Sequence, residues 1–228
     1  TAPSLRAVKE YARFMEDPAS NGEAAVANVK TWLSDDATLP ATPVMRILAA
    51  LIHLQLQNPI EALKSVHLCS TMEMTALYAV VLLVMCRIDL AIQTWQRMIK
   101  QDEEATLTHM IGGYVALYQG KGSEAVGIFQ ELMERNASTL PLSNGLFVAQ
   151  ALQGNWDVAE GLAKEDVSRT TSDPALLINL VVLQKHLRKE GSARYLALLQ
   201  SKFPSHPWVQ TMQAAQEKFD NAAAQMAQ

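Results

Sequence analysis

The chain has 228 residues, 49% hydrophobic and 18% charged, a balance that excludes an intrinsically disordered polypeptide and allows a sizeable core. Its 19 Lys and Arg face 23 Asp and Glu, for a net charge of -4, and no basic stripe is interleaved with aromatics. Phosphate-backbone binding needs concentrated positive charge, so a nucleic-acid partner is not expected.

The first residues already read as helix, with Leu5, Val8, Tyr11, Ala12 and Met15 at spacings of three and four. The chain begins at Thr1 with neither an initiator methionine nor a signal peptide, and reads as a piece of something longer. Gly22 to Leu33, carrying Ala25, Val29 and Trp32, predicts another helix. Asn58-Pro59-Ile60-Glu61 supplies an N-cap, a proline at the first helical position and a capping-box Glu. Cys69 and Cys86 lie in apolar runs and are expected to be buried, reduced thiols, which suits a cytosolic protein. The longest apolar run, Ala76 to Cys86, falls short of the roughly 20 residues that span a bilayer.

From here a period sets in. Ala91, Ala125, Ala159 and Ala193 follow one another at 34 residues, each at the same place in a predicted helix. Cys86, Gly120 and Gly154 stand five residues before the first three, and a bulkier residue such as Trp95 or Phe129 stands four after the first two. Glu61-Ala62-Leu63 begins a similar second helix 29 residues before Ala91, so that unit is shorter. The small first-helix residue is Ala79 or Gly113 in two units but Phe147 and Val181 in the next two. A 34-residue period with a turn glycine and a helix-crossing alanine is the tetratricopeptide (TPR) pattern, because a small side chain lets two helix backbones approach closely. The expected fold is all-α: a TPR-like solenoid of antiparallel helix pairs, about a dozen helices in all. Divergent repeats would occupy 1–71, regular ones 72–205 and a C-terminal capping helix 206–228. Gly120, Gly122, Gly154 and Gly191 mark its turns, and Asp173-Pro174 repeats the cap-and-proline start. In the last helix, Trp208, Met212, Ala215 and Phe219 form an apolar stripe suited to sealing the open end, and 221–228 is expected to fray.

Chemical sites are not found. His53, His67, His109, His186 and His206 show no metal-ligand spacing, and His67 and Cys69 point to different helix faces. Gly120-Lys121-Gly122-Ser123-Glu124-Ala125 matches a loose dinucleotide fingerprint but follows a helix rather than a strand, so it reads as a turn. Asp102-Glu103-Glu104 reads as helix-start acidity. Asn136-Ala137-Ser138, a formal glycosylation sequon, carries no weight. No catalytic residue, cofactor or metal is expected.

In such arrays the first helix of each pair lines the concave face. With the second-helix alanine as the reference, the inward residues are Glu73, Ala76, Val80 and Leu83, then Leu107, Met110, Tyr114 and Leu117. Pro141, Asn144, Val148 and Ala151 follow, then Ala175, Ile178, Val182 and Lys185. The face is mostly apolar, whereas a clamp for acidic tails would need Lys and Arg. A register shifted by one residue would instead pack these side chains between repeats. An exposed apolar groove favours a permanent partner over a transient one. Met110, Tyr114, Leu117, Asn144, Val148, Ile178 and Val182 are the partner-binding candidates, with Tyr114 the best anchor.

Gln101-Asp102-Glu103-Glu104-Ala105-Thr106-Leu107-Thr108, Ser143-Asn144-Gly145, Gln153-Gly154-Asn155-Trp156-Asp157-Val158-Ala159-Glu160, Leu177-Ile178-Asn179-Leu180-Val181-Val182-Leu183 and Ser205-His206-Pro207 occur in order. In these stretches the sequence resembles the epsilon-subunit family of coatomer, the coat of COPI vesicles. The resemblance runs over almost the whole chain and is strongest from Ala91 onward. It implies a non-enzymatic cytosolic subunit, peripheral to Golgi membranes and COPI vesicles through the coat. Its helical repeats would hold the carboxy-terminal domain of the alpha subunit, alongside other coatomer subunits, in Golgi-to-endoplasmic-reticulum retrieval. It also implies an amino-terminal part not present here. The alternative is a general TPR adaptor or chaperone cofactor, which the apolar groove disfavours.

Overall fold

The computed structural model describes residues 3–34, 41–68 and 71–226. These form 13 helices and, among the described residues, no strand: α1 (Pro3–Glu16), α2 (Pro18–Leu33), α3 (Pro43–Gln55), α4 (Pro59–Val66), α5 (Met72–Val84), α6 (Ile88–Gln101), α7 (Thr106–Tyr118), α8 (Gly122–Arg135), α9 (Leu140–Leu152), α10 (Trp156–Arg169), α11 (Pro174–His186), α12 (Ser192–Lys202) and α13 (Pro207–Met226). The chain divides into two compact units, residues 1–128 and 129–228.

Helix starts follow local chemistry. Proline occupies the first position of α2, α4 and α11 after Asp17, Asn58 and Asp173, whose side chains accept N–H bonds from Ser20, Glu61 and Ala175. Thr42 caps α3 in the same way ahead of Pro43. The Glu61 carboxylate does not complete the expected capping box: it pairs with Lys64 at 2.6 Å.

The helix ends carry the period. Gln57, Cys86, Gly120, Gly154 and Arg188 all have positive φ, each just past the first helix of a pair. Each turn closes alike: the N–H of that residue bonds three residues back and the next N–H five back, as in Cys86 to Leu83 and Arg87 to Leu82. This is the Schellman closure, which satisfies the carbonyls left over at a helix end. Glycine takes this backbone at no steric cost, and it stands at two of the five positions. Cys86 is therefore exposed at a turn, not buried as its apolar neighbours suggested. Cys69 lies outside the described residues.

In the first unit, successive first helices α1, α3, α5 and α7 touch one another, while α2, α4 and α6 each join the pair that follows. Ala91 is fully buried, and one turn on Trp95 packs where Gly112 leaves room, since a Cβ there would lie 2.9 Å from the indole. The Trp95 Nε1–H also donates to the Thr108 carbonyl at 3.1 Å. In the second unit Phe129 uses Gly145 likewise, with a Cβ there only 2.5 Å from the ring. Ala125 and Ala159 are fully buried too.

Two expectations fail here. Ala193 is exposed and Ser192 takes the buried place, because α12 starts four residues after its turn residue Arg188, where α8 and α10 start two after theirs. The expected first helix forms as α1, whose core is reached by Ala7 and Phe14, leaving Leu5, Val8, Ala12 and Met15 exposed. α13 forms and stays helical to Met226, but only Val209 is buried, with Trp208 packed beside it against Leu177 and Leu199. Met212 and Ala215 are exposed, and Phe219 is 69% exposed, so beyond Trp208 the stripe covers nothing among the described residues.

Candidate functional site

The seven candidates fall in both units. In the first, Met110, Tyr114 and Leu117 lie on one side of α7 and are half-buried. Tyr114 packs against the cluster that contains Ile111 and Val115, and burial raises its phenol pKa above the ordinary value. Its ring is thus partly committed to the core.

In the second unit, α9 and α11 approach less closely than the first helices of unit one, and a cleft of about 230 Å³ opens between them. Val148 from α9 and Val182 from α11 line it, both from the candidate set. Asn144 stands on the same side of α9, where its Oδ1 accepts from Asn179 Nδ2 at 2.7 Å and ties the two helices together. That bond leaves the amide N–H groups of Asn144 and the amide oxygen of Asn179 to meet a ligand. Ile178 does not join them; it packs with Leu177, Leu199 and Val209.

The sequence reading missed the outer wall. Leu152 is 50% exposed, facing the predicted Val182, and Trp156 stacks on His186 with ring centroids 4.0 Å apart and planes tilted by 36°. A signal for this wall exists. Leu152 and His186 are 34 apart, each two residues before a positive-φ turn, and Val84 and Tyr118 hold the same place in unit one, also exposed. Counting only the inner positions of the first helices skipped this row. The cleft is apolar apart from its amide and imidazole edges, and it can bury an apolar side chain without proton-transfer chemistry. Among the described residues no group of His, Cys, Asp or Glu is arranged to hold a metal, and no helix is long and apolar enough to cross a membrane.

The fold is shared with tetratricopeptide-repeat proteins. A thermophilic TPR protein of Thermus thermophilus superposes with a TM-score of 0.65 at 13% identity, over 75% of this chain and 96% of that one. PilW, a type IV pilus biogenesis factor, gives 0.61 at 16% identity over 93% and 99%. Closer likeness is in sequence. Coatomer subunit epsilon-1 of Oryza sativa subsp. japonica is 34% identical over 97% of this chain and 76% of its own length. Coatomer subunit epsilon-2 of Arabidopsis thaliana is 32% identical over 97% and 75%, and coatomer subunit epsilon of Caenorhabditis elegans 26% over 96% and 76%. The family profile described as coatomer epsilon subunit matches residues 1–227. A TPR-like helical stack matched along its length by that profile, the chain belongs to the coatomer epsilon-subunit family, helical subunits of the COPI vesicle coat.

Proposed function

We propose that this coat subunit holds the carboxy-terminal domain of the alpha subunit, and that in its second unit the cleft between α9 and α11 receives an apolar side chain of that partner. The observation that carries the reading is the pairing of exposed Leu152 and Val182 across a concave apolar floor, edged by the Asn179 amide that Asn144 holds in place. The α7 residues Met110, Tyr114 and Leu117 offer a further apolar contact in the first unit. Cytosolic, Golgi-associated coat assembly and Golgi-to-endoplasmic-reticulum retrieval follow from this partnership.

The test is a pull-down by the alpha-subunit domain with Val148→Asp combined with Val182→Asp. Burying two carboxylates against apolar surface without partners should abolish capture. Val182 is exposed and Val148 half-buried in the free chain, so circular dichroism should show retained helicity. Full capture by the folded double variant would move the contact off this cleft.

A further inference from the structure

A second cleft, in the first unit, has a different chemistry. About 480 Å³ in volume, it lies where α2, α3 and α4 converge and is lined by Lys30, Arg46, His53, Glu61, Lys64 and Ser65. Three cations face one carboxylate there. Glu61 is taken by Lys64 at 2.6 Å, while Lys30 and Arg46 have no ion-pair partner among the described residues. At the back sits His53, only 6% exposed. Burial holds its pKa below the usual imidazole value, against an opposing pull from Glu61 and with a further push from Lys30, so near neutral pH it offers one N–H donor.

We propose that this cleft binds a phosphate monoester. Net charge decides for phosphate over a carboxylate: two uncompensated cations match an ester phosphate of roughly -1.5 to -2, whereas a carboxylate would neutralise only one. Arg46 supplies the planar fork that bonds two phosphate oxygens, Lys30 adds a point charge and His53 donates from behind. Val29 and Leu33 form an apolar wall for the carbon stem of the ester. This site is separate from the α9–α11 cleft and stands or falls without it.

The experiment titrates the full chain with O-phosphoserine and, in a second arm, with phosphatidylcholine vesicles containing phosphatidylinositol 4-phosphate, followed by sedimentation. Saturable perturbation of the His53 ring resonances by phosphoserine places a soluble ester in the cleft; sedimentation with the vesicles alone assigns the ester to a lipid headgroup. In either case Lys30→Gln with Arg46→Gln should weaken binding by at least about tenfold with helicity unchanged. Absence of a saturable response in both arms, or an equal response from the folded double variant, overturns the proposal.

Discussion

Glu160 shows how one buried carboxylate fastens a turn. It lies on α10, and its carboxylate oxygens accept from Gln184 Nε2 at 2.6 Å, Lys189 Nζ at 2.8 Å and Lys164 Nζ at 2.9 Å. Lys189, then Lys164, then Gln184 hold its pKa down to about 2 against the opposing effect of burial. A carboxylate whose folded pKa is depressed contributes stability above its unfolded value, near 4.5, and loses it as pH falls from there toward about 2. Glu160→Gln is expected to cost about 1–2 kcal/mol at pH 7, held down by the half-exposed lysines. In urea titrations the gap between the two proteins should close by pH 2; an equal gap at both pH values would mean that packing, not charge, is lost. Cys86 poses the opposite case, a non-glycine residue at positive φ with an exposed side chain. Cys86→Gly should raise stability by about 1 kcal/mol by relieving the left-handed backbone, whereas a lowered midpoint would show that the thiol packs usefully.

At the level of the helix pair, what could be read from the sequence was set by turns and crossings. The spacing from turn residue to second-helix alanine located three crossings correctly, because Schellman closure and close helix approach both act through residues near in sequence. It misplaced the fourth. Arg188 rather than Gly191 takes the positive φ, and Lys189 and Glu190 lengthen the connection, with Lys189 reaching Glu160. Gly191 instead lies flush against Gln184, where a Cβ would sit 2.9 Å from the amide oxygen. The Lys189–Glu160 pair, 29 residues apart, has no local sequence signal. The two registers make different predictions. Ala159→Leu and Ser192→Leu should each cost about 1–3 kcal/mol by overpacking, while Ala193→Leu should be within about 0.5 kcal/mol of the parent. Denaturation midpoints decide it: a large loss at Ala193 with none at Ser192 would restore the uninterrupted 34-residue spacing.

Over the whole molecule, the fold class was legible because a repeated pattern states the same structure many times, whereas each site is stated once. Val148 and Val182 were found from the repeat, but Trp156 and His186 meet only through the packing of α9, α10 and α11. The end of the stack was misjudged for a related reason: an amphipathic pattern says that a helix has an apolar face and not whether anything covers it. α13 is such a helix. Its first turns dock through Trp208 and Val209, while Met212, Phe219 and Met226 lie exposed beyond them. If the last packed layer ends at Val209, a chain cut after Gln213 keeps the docked turns and should unfold within about 0.5 kcal/mol of the full chain. Its helical signal should fall only by the turns removed. Val209→Ala in the full chain removes buried methyl groups and should cost about 1–3 kcal/mol. Chemical denaturation of the three proteins side by side separates the alternatives. Should the shortened chain lose as much as Val209→Ala, the outer turns seal the stack after all, and the exposed stripe is not the surface of the isolated protein.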